Sequence, residues 1–473
     1  MRTIVRHAYE ALRSTMWLLP ALMAAAGSGL ALALLHAVPA IPGWPAWLRF
    51  AAGPQAAHTL LATIAGGMIG VAGVTFSITI VTLAMASQQM GPRLLRGFVR
   101  DRVNQLVFGS FVATFLYSLL VLQSISAEAE GDDLPHHAIL GAVVLSTVAL
   151  GMLLYFIHHT AHSIQADSVI ALVTGELSQN IRRLFPERIG EEGEPEPQDA
   201  PRPPQDAVVV RAKREGYVQA LHEERILQLA KRHDLVFDML RRPGDFVPVD
   251  APLLRAWPKE NVPPRFDRLA AKVAILGHKR TAEQDVEFSI DQLAEVAVRA
   301  LSPGINDPFT AMRCVDRLGS ALADLARRRF PSHVREDEDG HPRVIVRRPS
   351  FDGLMDAAFN AIRQNTRGAV GVTIRMLEAL EVIAGEARGR PEVVDAVRAH
   401  AQRIVQEAKA SGCSRDDLQD ILQRERDVRR ALEASGEPAK PAPAKRLEPE
   451  RRPRRPRNSG AAKRRKPAGD GLR

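Results

Sequence analysis

Residues 59–102 read TLLATIAGGMIGVAGVTFSITIVTLAMASQQMGPRLLRGFVRDR. Residues 59–90 carry no charged side chain. This run is longer than the about 20 apolar residues that a helix needs to cross a bilayer. It ends abruptly in an arginine-rich loop, as transmembrane helices do at a cytoplasmic membrane surface. The stretch therefore predicts an integral membrane protein.

Two stripes of small or polar residues run along opposite faces of this predicted helix. The glycine face holds Gly66, Gly70, Gly73 and Ser77, and the threonine face holds Thr75, Thr79, Thr82 and Gln89. Small residues favour close packing against another helix, so the glycine face predicts a helix contact. The threonine face predicts a polar pathway. The alternative is that each hydroxyl bonds the carbonyl one turn back and needs no pathway.

Bulk composition divides the chain into a membrane part and a soluble part. The chain has 473 residues and a mean hydropathy of −0.11, which is too polar for a protein that lies mostly in a membrane. Its apolar runs cluster before residue 160, and the charged residues follow. It has only two cysteines, so neither a disulfide framework nor a paired-cysteine metal site is expected.

Four segments are long and apolar enough to be transmembrane spans. They are residues 17–38, 59–86, 103–125 and 138–157. Basic residues lie before the first span and after the second, where they predict cytoplasmic ends. The arginines after the second span, at the predicted cytoplasmic mouth, are Arg93, Arg96, Arg100 and Arg102. Both termini are therefore expected in the cytoplasm.

Five regions follow from these patterns. We expect a four-span membrane domain (1–160), a connecting helix with a Pro/Glu-rich linker (161–206), a small α/β module (207–262), a helical cytoplasmic domain (263–434) and a disordered basic tail (435–473). The expected fold class is thus a four-helix transmembrane domain plus a mixed α/β, mainly helical, cytoplasmic domain.

The net positive charge of the chain comes from its C-terminal end. Residues 437–473 contain 13 Lys and Arg against four acids, which accounts for the whole formal net charge of +9. A basic segment tethered to a membrane favours anionic lipid over nucleic acid as its partner. The alternative is a tail that only keeps the protein soluble.

The segment ALSPGINDPFTAMRCVDR, residues 300–317, contains the sharpest motif of the soluble part. Asp307 suits the N-cap of a helix whose first residue is a proline, which predicts a rigid corner. An anion at the corner would contact free backbone N–H groups, Asn306 and Thr310, although the charge of Asp307 opposes it. A cation would instead be held by Asn306, Asp307 and backbone carbonyls. Arg280 and Asp285 lie close together in the preceding segment, where surface ion pairing or helix capping explains them. If that segment folded against the corner, a charged pocket would form between two helix ends.

Motifs for catalysis are absent from the sequence. It has no nucleotide-binding loop, nucleophile elbow, zinc-protease helix or deaminase motif, so we expect no enzyme activity and no cofactor. His158, His159 and His162 end the fourth span, where a membrane-interface role explains them better than a metal does. No metal site is therefore predicted.

Three long segments, in order, resemble a known family. They are GVTFSITIVTLAMASQQMGPRLLRGFVRDR, the region GYVQAL…RRPGDFVPVDAPLLRAW, and QDVEFSIDQLAEVAVRALSPGINDPFTAMRCVDRL. Together they are similar to an uncharacterised bacterial membrane-protein family, domain-of-unknown-function family 2254, over about residues 10–430. The resemblance implies an inner-membrane protein with a cytoplasmic domain, and it supplies no catalytic residues. The basic tail lies outside it.

Two functions are consistent with these features. The first is an oligomeric channel- or pore-like protein, in which subunits share a pathway because four spans make a thin bundle and the cytoplasmic domain regulates it. The second is a membrane-tethered sensor or scaffold whose soluble domain binds a ligand or a protein. The first hypothesis depends on the threonine face, and the second depends on the corner at Asn306.

Overall fold

A computed structural model describes residues 17–36, 53–90, 102–125, 134–163, 166–186, 200–264, 266, 273–388 and 390–435. Twelve α-helices are described in these ranges: α1 (Leu18–His36), α2 (Gly53–Met90), α3 (Arg102–Ser124), α4 (His136–Ser163), α5 (Ala166–Leu184), α6 (Glu223–His233), α7 (Val286–Ala300), α8 (Pro308–Ala326), α9 (Phe351–Gln364), α10 (Val370–Gly385), α11 (Pro391–Ala410) and α12 (Arg415–Ser435). Eight strands are described: β1 (Val208–Arg211), β2 (Gly216–Leu221), β3 (Val236–Met239), β4 (Phe246–Val247), β5 (Pro252–Trp257), β6 (Ala274–Gly277), β7 (Val334–Glu336) and β8 (Pro342–Ile345).

The first four helices are each long and apolar enough to cross a membrane, so the four predicted spans are confirmed as candidate spans. Helix α3 is the central one and packs against α1, α2 and α4. Half of its apolar window is buried within the chain, compared with 11% of the window of α2. Helix α2 therefore lies at the edge of the bundle and leaves most of its surface open.

A buried tyrosine joins two of these spans. The Tyr117 side chain on α3 is fully buried, and its hydroxyl donates to the Ala138 carbonyl on α4 at 2.8 Å. A methyl group at Gly141 would lie 2.3 Å from that hydroxyl, so the close approach of α4 requires a glycine there. The hydrogen bond satisfies a polar group that lipid could not satisfy.

Helix α5 follows α4 after residues 164–165 and belongs to the core of the helical region. Its apolar face packs into one cluster with the buried faces of α7 to α12. The Arg313 guanidinium on α8 donates to Asp167 in the first turn of α5 at 2.7 Å. Near the other end of α5, the buried Arg328 donates to the Phe185 carbonyl at 2.8 Å. The predicted connecting helix thus packs, through its apolar side, into the core of the helical region.

The strands form two sheets that draw on distant parts of the chain. A five-stranded sheet has the order β1-β5-β3-β8-β7, and a three-stranded sheet has the order β4-β2-β6. Strand β8 pairs in parallel with β3, with Phe237 opposite Val344. Because β6, β7 and β8 all follow residue 262, the sheets extend beyond the small module predicted for residues 207–262. Their own core, centred on Phe237, Leu254 and Val273, is separate from the helical one.

Candidate functional site

The threonine face of α2 is covered by its own chain. Thr75 is 3% exposed, and Thr79 and Thr82 are half-buried. The Thr79 hydroxyl donates to the Thr75 carbonyl at 2.8 Å, which is the self-satisfied arrangement that needs no pathway. The predicted pathway face is therefore a packing face of the bundle. The side chain of Gln89 lies outside the described residues.

The glycine face of α2 is open instead. Gly66, Gly70, Gly73 and Ser77 are all exposed, and a methyl group added at any of the three glycines would meet no described atom within 4 Å. The two faces are thus reversed relative to the prediction, because 3.6-residue periodicity identifies a stripe without telling which stripe is covered. The described helices of this chain do not pack closely on the glycine face, so the predicted helix contact there stays a prediction.

The basic elements of the sequence are only partly within the described residues. Arg102 is the first residue of α3 and is exposed. Arg93, Arg96 and Arg100 lie outside the described ranges, as does the basic tail after residue 435. The predicted cytoplasmic mouth and the predicted lipid contact of the tail therefore stay predictions.

The two segments expected to share a charged pocket lie at opposite ends of α7. Asp285 caps the N-terminus of this helix, and Asn306 lies beyond its C-terminus. The helix has 15 residues, so at 1.5 Å per residue its ends are about 22 Å apart. The pocket between Arg280–Asp285 and the Asn306 corner is consequently not formed.

The Asn306 corner is a satisfied helix cap. Asp307 accepts the Thr310 backbone N–H at 3.1 Å and the Thr310 hydroxyl at 2.6 Å, and Pro308 follows as the first helical residue. The hydroxyl contact lowers the pKa of Asp307 and keeps the carboxyl charged. Asn306 is exposed and has a φ of 50°, a conformation that asparagine tolerates. These contacts account for the motif without a ligand.

Arg280 and Asp285 do come together, in a buried ion cluster. The Arg280 guanidinium donates to Asp285 at 2.8 Å and to Asp291 at 2.7 Å. Burial raises the pKa of both carboxyl groups, and this effect outweighs the opposing effect of Arg280. A methyl group at Gly244 would lie 2.4 Å from Asp285 Oδ2, so the turn between β3 and β4 packs closely against the cluster. The cluster holds the sheet region against α7.

Further polar contacts join the same elements. Arg242, before β4, donates to Glu287 in the first turn of α7 at 2.6 Å. The Gln284 side chain accepts the Leu221 N–H at 2.8 Å and donates to the Leu221 carbonyl at 3.1 Å. Arg183, near the end of α5, donates to the Glu283 carbonyl. Three parts of the region after the fourth candidate span therefore meet at the start of α7.

A cavity of about 120 Å³ lies at this meeting point, and we call it the junction cavity. Four arginines and three acids are among the residues that line it: Arg242, Arg335, Arg347, Arg348, Glu223, Asp285 and Glu287. Leu184 and Phe185 at the end of α5 also line it. Most of these residues come from segments far apart in sequence, so no local motif could have identified the cavity.

A second cavity, of about 220 Å³, lies within the helical domain. It is bordered by the turn after α9 and the turn after α11, with Arg363, Glu407 and Cys413 among its lining residues. Only helices α9 to α12 and their turns border this cavity. The junction cavity is smaller, but it is the one that the helix leading from the membrane also touches.

Four membrane-length helices followed by a mixed region of sheets and helices define a membrane protein with a large non-membrane part. The chain belongs to the DUF2254 family of predicted membrane proteins, whose model matches residues 13–382, so the resemblance seen in the sequence is confirmed. Uncharacterized proteins of Mycobacterium bovis and Mycobacterium tuberculosis are each 31% identical to it over 379 residues, covering 79% of this chain and 72% of theirs. No solved structure matches the chain.

Proposed function

We propose that this protein is a membrane-tethered sensor or scaffold whose soluble region binds a small anion in the junction cavity. The main support is that three elements line the same cavity: the end of α5, the sheet region and the start of α7. Helix α5 follows the fourth candidate span, and α7 lies against α2. A ligand that changes the packing here would therefore act on one helix that follows a candidate span, α5, and on one that contacts a candidate span, α7.

The charges of the lining favour an anion. Asp285 and Glu287 are already paired, with Arg280 and Arg242 respectively. The other charged side chains of the lining are Arg335, Arg347, Arg348 and Glu223. Arg335 donates to the Ser332 carbonyl at 2.5 Å, and Arg348 donates to the Pro331 carbonyl. The whole lining holds four guanidinium groups and three carboxylates, and guanidinium groups bind phosphate and carboxylate through paired hydrogen bonds. The volume is below the about 300–1,000 Å³ of sites for drug-sized ligands, so a group of phosphate or carboxylate size fits best.

The proposal is tested by thermal unfolding of the full-length protein in detergent with inorganic phosphate or acetate. A ligand at 100 times its dissociation constant stabilises the folded state by about 2.7 kcal/mol. We expect a rise in Tm with phosphate that is reduced in Arg347→Gln, an exposed residue of the lining. Arg398→Gln, an exposed residue on α11 outside the cavity lining, is the matched control. Equal responses of both variants would contradict the proposal.

The same proposal places the protein in the bacterial inner membrane with both termini in the cytoplasm. The support is the arginine distribution around the spans. The basic segment 437–473 would then contact anionic lipid of the inner leaflet. Reporter fusions that are active only in the periplasm test the orientation, and activity of a fusion after residue 435 would overturn it.

A channel-like homo-oligomer is the second candidate, and the open glycine face of α2 is the observation that favours it. Without a partner in the described chain, Gly66, Gly70 and Gly73 suit a contact with α2 of another subunit. Any shared pathway would then run beside this face and not along Thr75 and Thr79. Gly70→Val should disturb both self-association and flux into liposomes, and unchanged behaviour in both assays would remove this candidate.

A further inference from the structure

A group of acidic residues faces a buried histidine at the contact between α9 and α11. Asp352 and Asp356 are separated by one turn on α9, so they project from the same face of that helix. His400 lies on α11, opposite them. One possible ligand atom from each of the three residues lies within 4.8 Å of the others. Neither cavity described above includes these residues.

His400 has unused hydrogen-bonding capacity. Its side chain is completely buried, and neither ring nitrogen has a hydrogen-bond partner among the described residues. Nε2 lies 3.2 Å from Asp356 Oδ1, which aims the imidazole into the acidic group without the alignment of a hydrogen bond. A buried polar side chain left in this way is costly, and a ligand would remove that cost.

The neighbours of His400 hold the group in place. The Phe359 ring packs edge-on against the imidazole, with 6.1 Å between the ring centroids. Asn360, one turn beyond Asp356 on α9, donates to Asp356 Oδ1 at 2.7 Å. The Oδ1 atom of Asn360 is itself buried without a hydrogen-bond partner among the described residues. Such outer contacts orient ligands in metal sites.

We propose that Asp352, Asp356 and His400 bind a divalent transition-metal ion, with Zn²⁺ as the best-suited probe. One imidazole and two carboxylates are ligands that Zn²⁺ accepts at about 2.0–2.2 Å. Ligand atoms around a tetrahedral ion lie about 3.3–3.6 Å apart, and the possible ligand atoms here lie within 4.8 Å of one another, so an ion needs only small side-chain movements to be bound. The ion would join α9 to α11 within the helical core. This site is separate from the junction cavity proposed to bind an anion.

Arg403 is the competitor of the ion. Its guanidinium donates to Asp356 Oδ1 at 2.8 Å and supplies positive charge at the acidic group. The Arg403 side chain is 41% exposed, so it can move into solvent when an ion arrives. Removing this arginine should therefore strengthen metal binding, whereas a purely structural ion pair predicts only a loss of stability.

The test uses the tag-free full-length protein in detergent, stripped with a chelator and titrated with Zn²⁺ by calorimetry. We expect one ion to bind, and we expect Asp352→Asn, at an exposed position that should leave the fold intact, to weaken binding at least tenfold. His400→Gln should abolish binding, and Arg403→Gln should tighten it several-fold. Mg²⁺ should bind far more weakly than Zn²⁺.

The matched control is a second acidic group, Asp337, Asp339 and His341. There Asp337 accepts the backbone N–H groups of Asp339 and His341, each at 3.0 Å, so the turn explains the group. Asp339→Asn should leave the Zn²⁺ affinity unchanged. Zn²⁺ affinity that is unaffected by Asp352→Asn, or that falls with Asp339→Asn, would overturn the proposal.

Discussion

Replacing Arg280 by methionine would remove the cation of the buried cluster beside the junction cavity. Arg280 is the partner of Asp285, whose side chain is 4% exposed, and of Asp291, whose side chain is 26% exposed. Methionine keeps much of the apolar stem but offers no hydrogen bond to either carboxylate. The Asp285 carboxylate would then be left buried without its cation.

The size of the effect follows from this burial. Removing one partner of a buried ion pair costs about 3–5 kcal/mol, and the partial exposure of Arg280 and Asp291 argues for the lower end, about 3 kcal/mol. In a domain of 150–250 residues, each kcal/mol shifts Tm by about 2–4 °C. Arg280→Met should therefore lower the Tm of the soluble region by about 6–12 °C at pH 7.5.

The loss of stability in Arg280→Met should increase as the pH rises. The pKa of Asp285 in the folded protein lies above its ordinary value of 3.8, so its charged form is already disfavoured by burial. Without Arg280 this pKa rises further, and stability is lost as the pH rises through it. The deficit of Arg280→Met should consequently be largest at neutral pH and should shrink towards pH 5.

Circular dichroism melts of the full-length protein in detergent measure this deficit. Arg398→Met, which disrupts an exposed ion pair, is the control and should change stability by no more than about 0.5 kcal/mol. Adding Asp285→Asn to Arg280→Met should recover part of the loss, because asparagine still caps α7. A Tm for Arg280→Met within about 2 °C of the control, or a loss of stability that does not change with pH, would show that Asp285 does not depend on Arg280.

Two further predictions concern packing and acid stability. In Gly319→Ala the new methyl group would lie 2.7 Å from Ala379 Cβ, so strain of about 1–3 kcal/mol should outweigh the helix-propensity gain of about 1 kcal/mol. Thermal melts should show a lower Tm, whereas Gly385→Ala, with no described atom within 4 Å, should show no loss. The hydrogen bond from Arg343 holds the pKa of Asp337 at about 2, so its stabilising effect is complete above about pH 4 and is lost as the pH falls towards 2. The denaturation midpoint of Asp337→Asn should therefore change less between about pH 4 and pH 2 than that of the unsubstituted protein. Equal slopes of midpoint against pH in the two proteins would contradict this prediction.

Features set by local chemistry could be predicted from the sequence. The four spans follow from runs of apolar residues, and the cap at Asp307 follows from an Asp–Pro pair at the start of an amphipathic segment. The pairing of Arg280 with Asp285 also follows from short spacing. Each of these depends on residues within a few turns of one another.

Features set by long-range packing could not be predicted. The pairing of β3 with β8 joins segments about 100 residues apart, and neither strand carries a signal for the other. The covered side of α2 depends on where α3 lies, which the periodicity of Thr75 and Gly70 does not contain. The junction cavity has the same origin, since Phe185, Arg242 and Arg347 are neighbours only after folding.

The proposed anion would bind where α5, the sheet region and α7 meet. Hydrogen exchange of the full-length protein with and without inorganic phosphate tests it most directly, because protection reports on each segment separately. We expect slower exchange together in residues 184–185, 284–287, 331–335 and 346–349, with no change in α11. Slower exchange confined to other segments, or no change in these four, would contradict it.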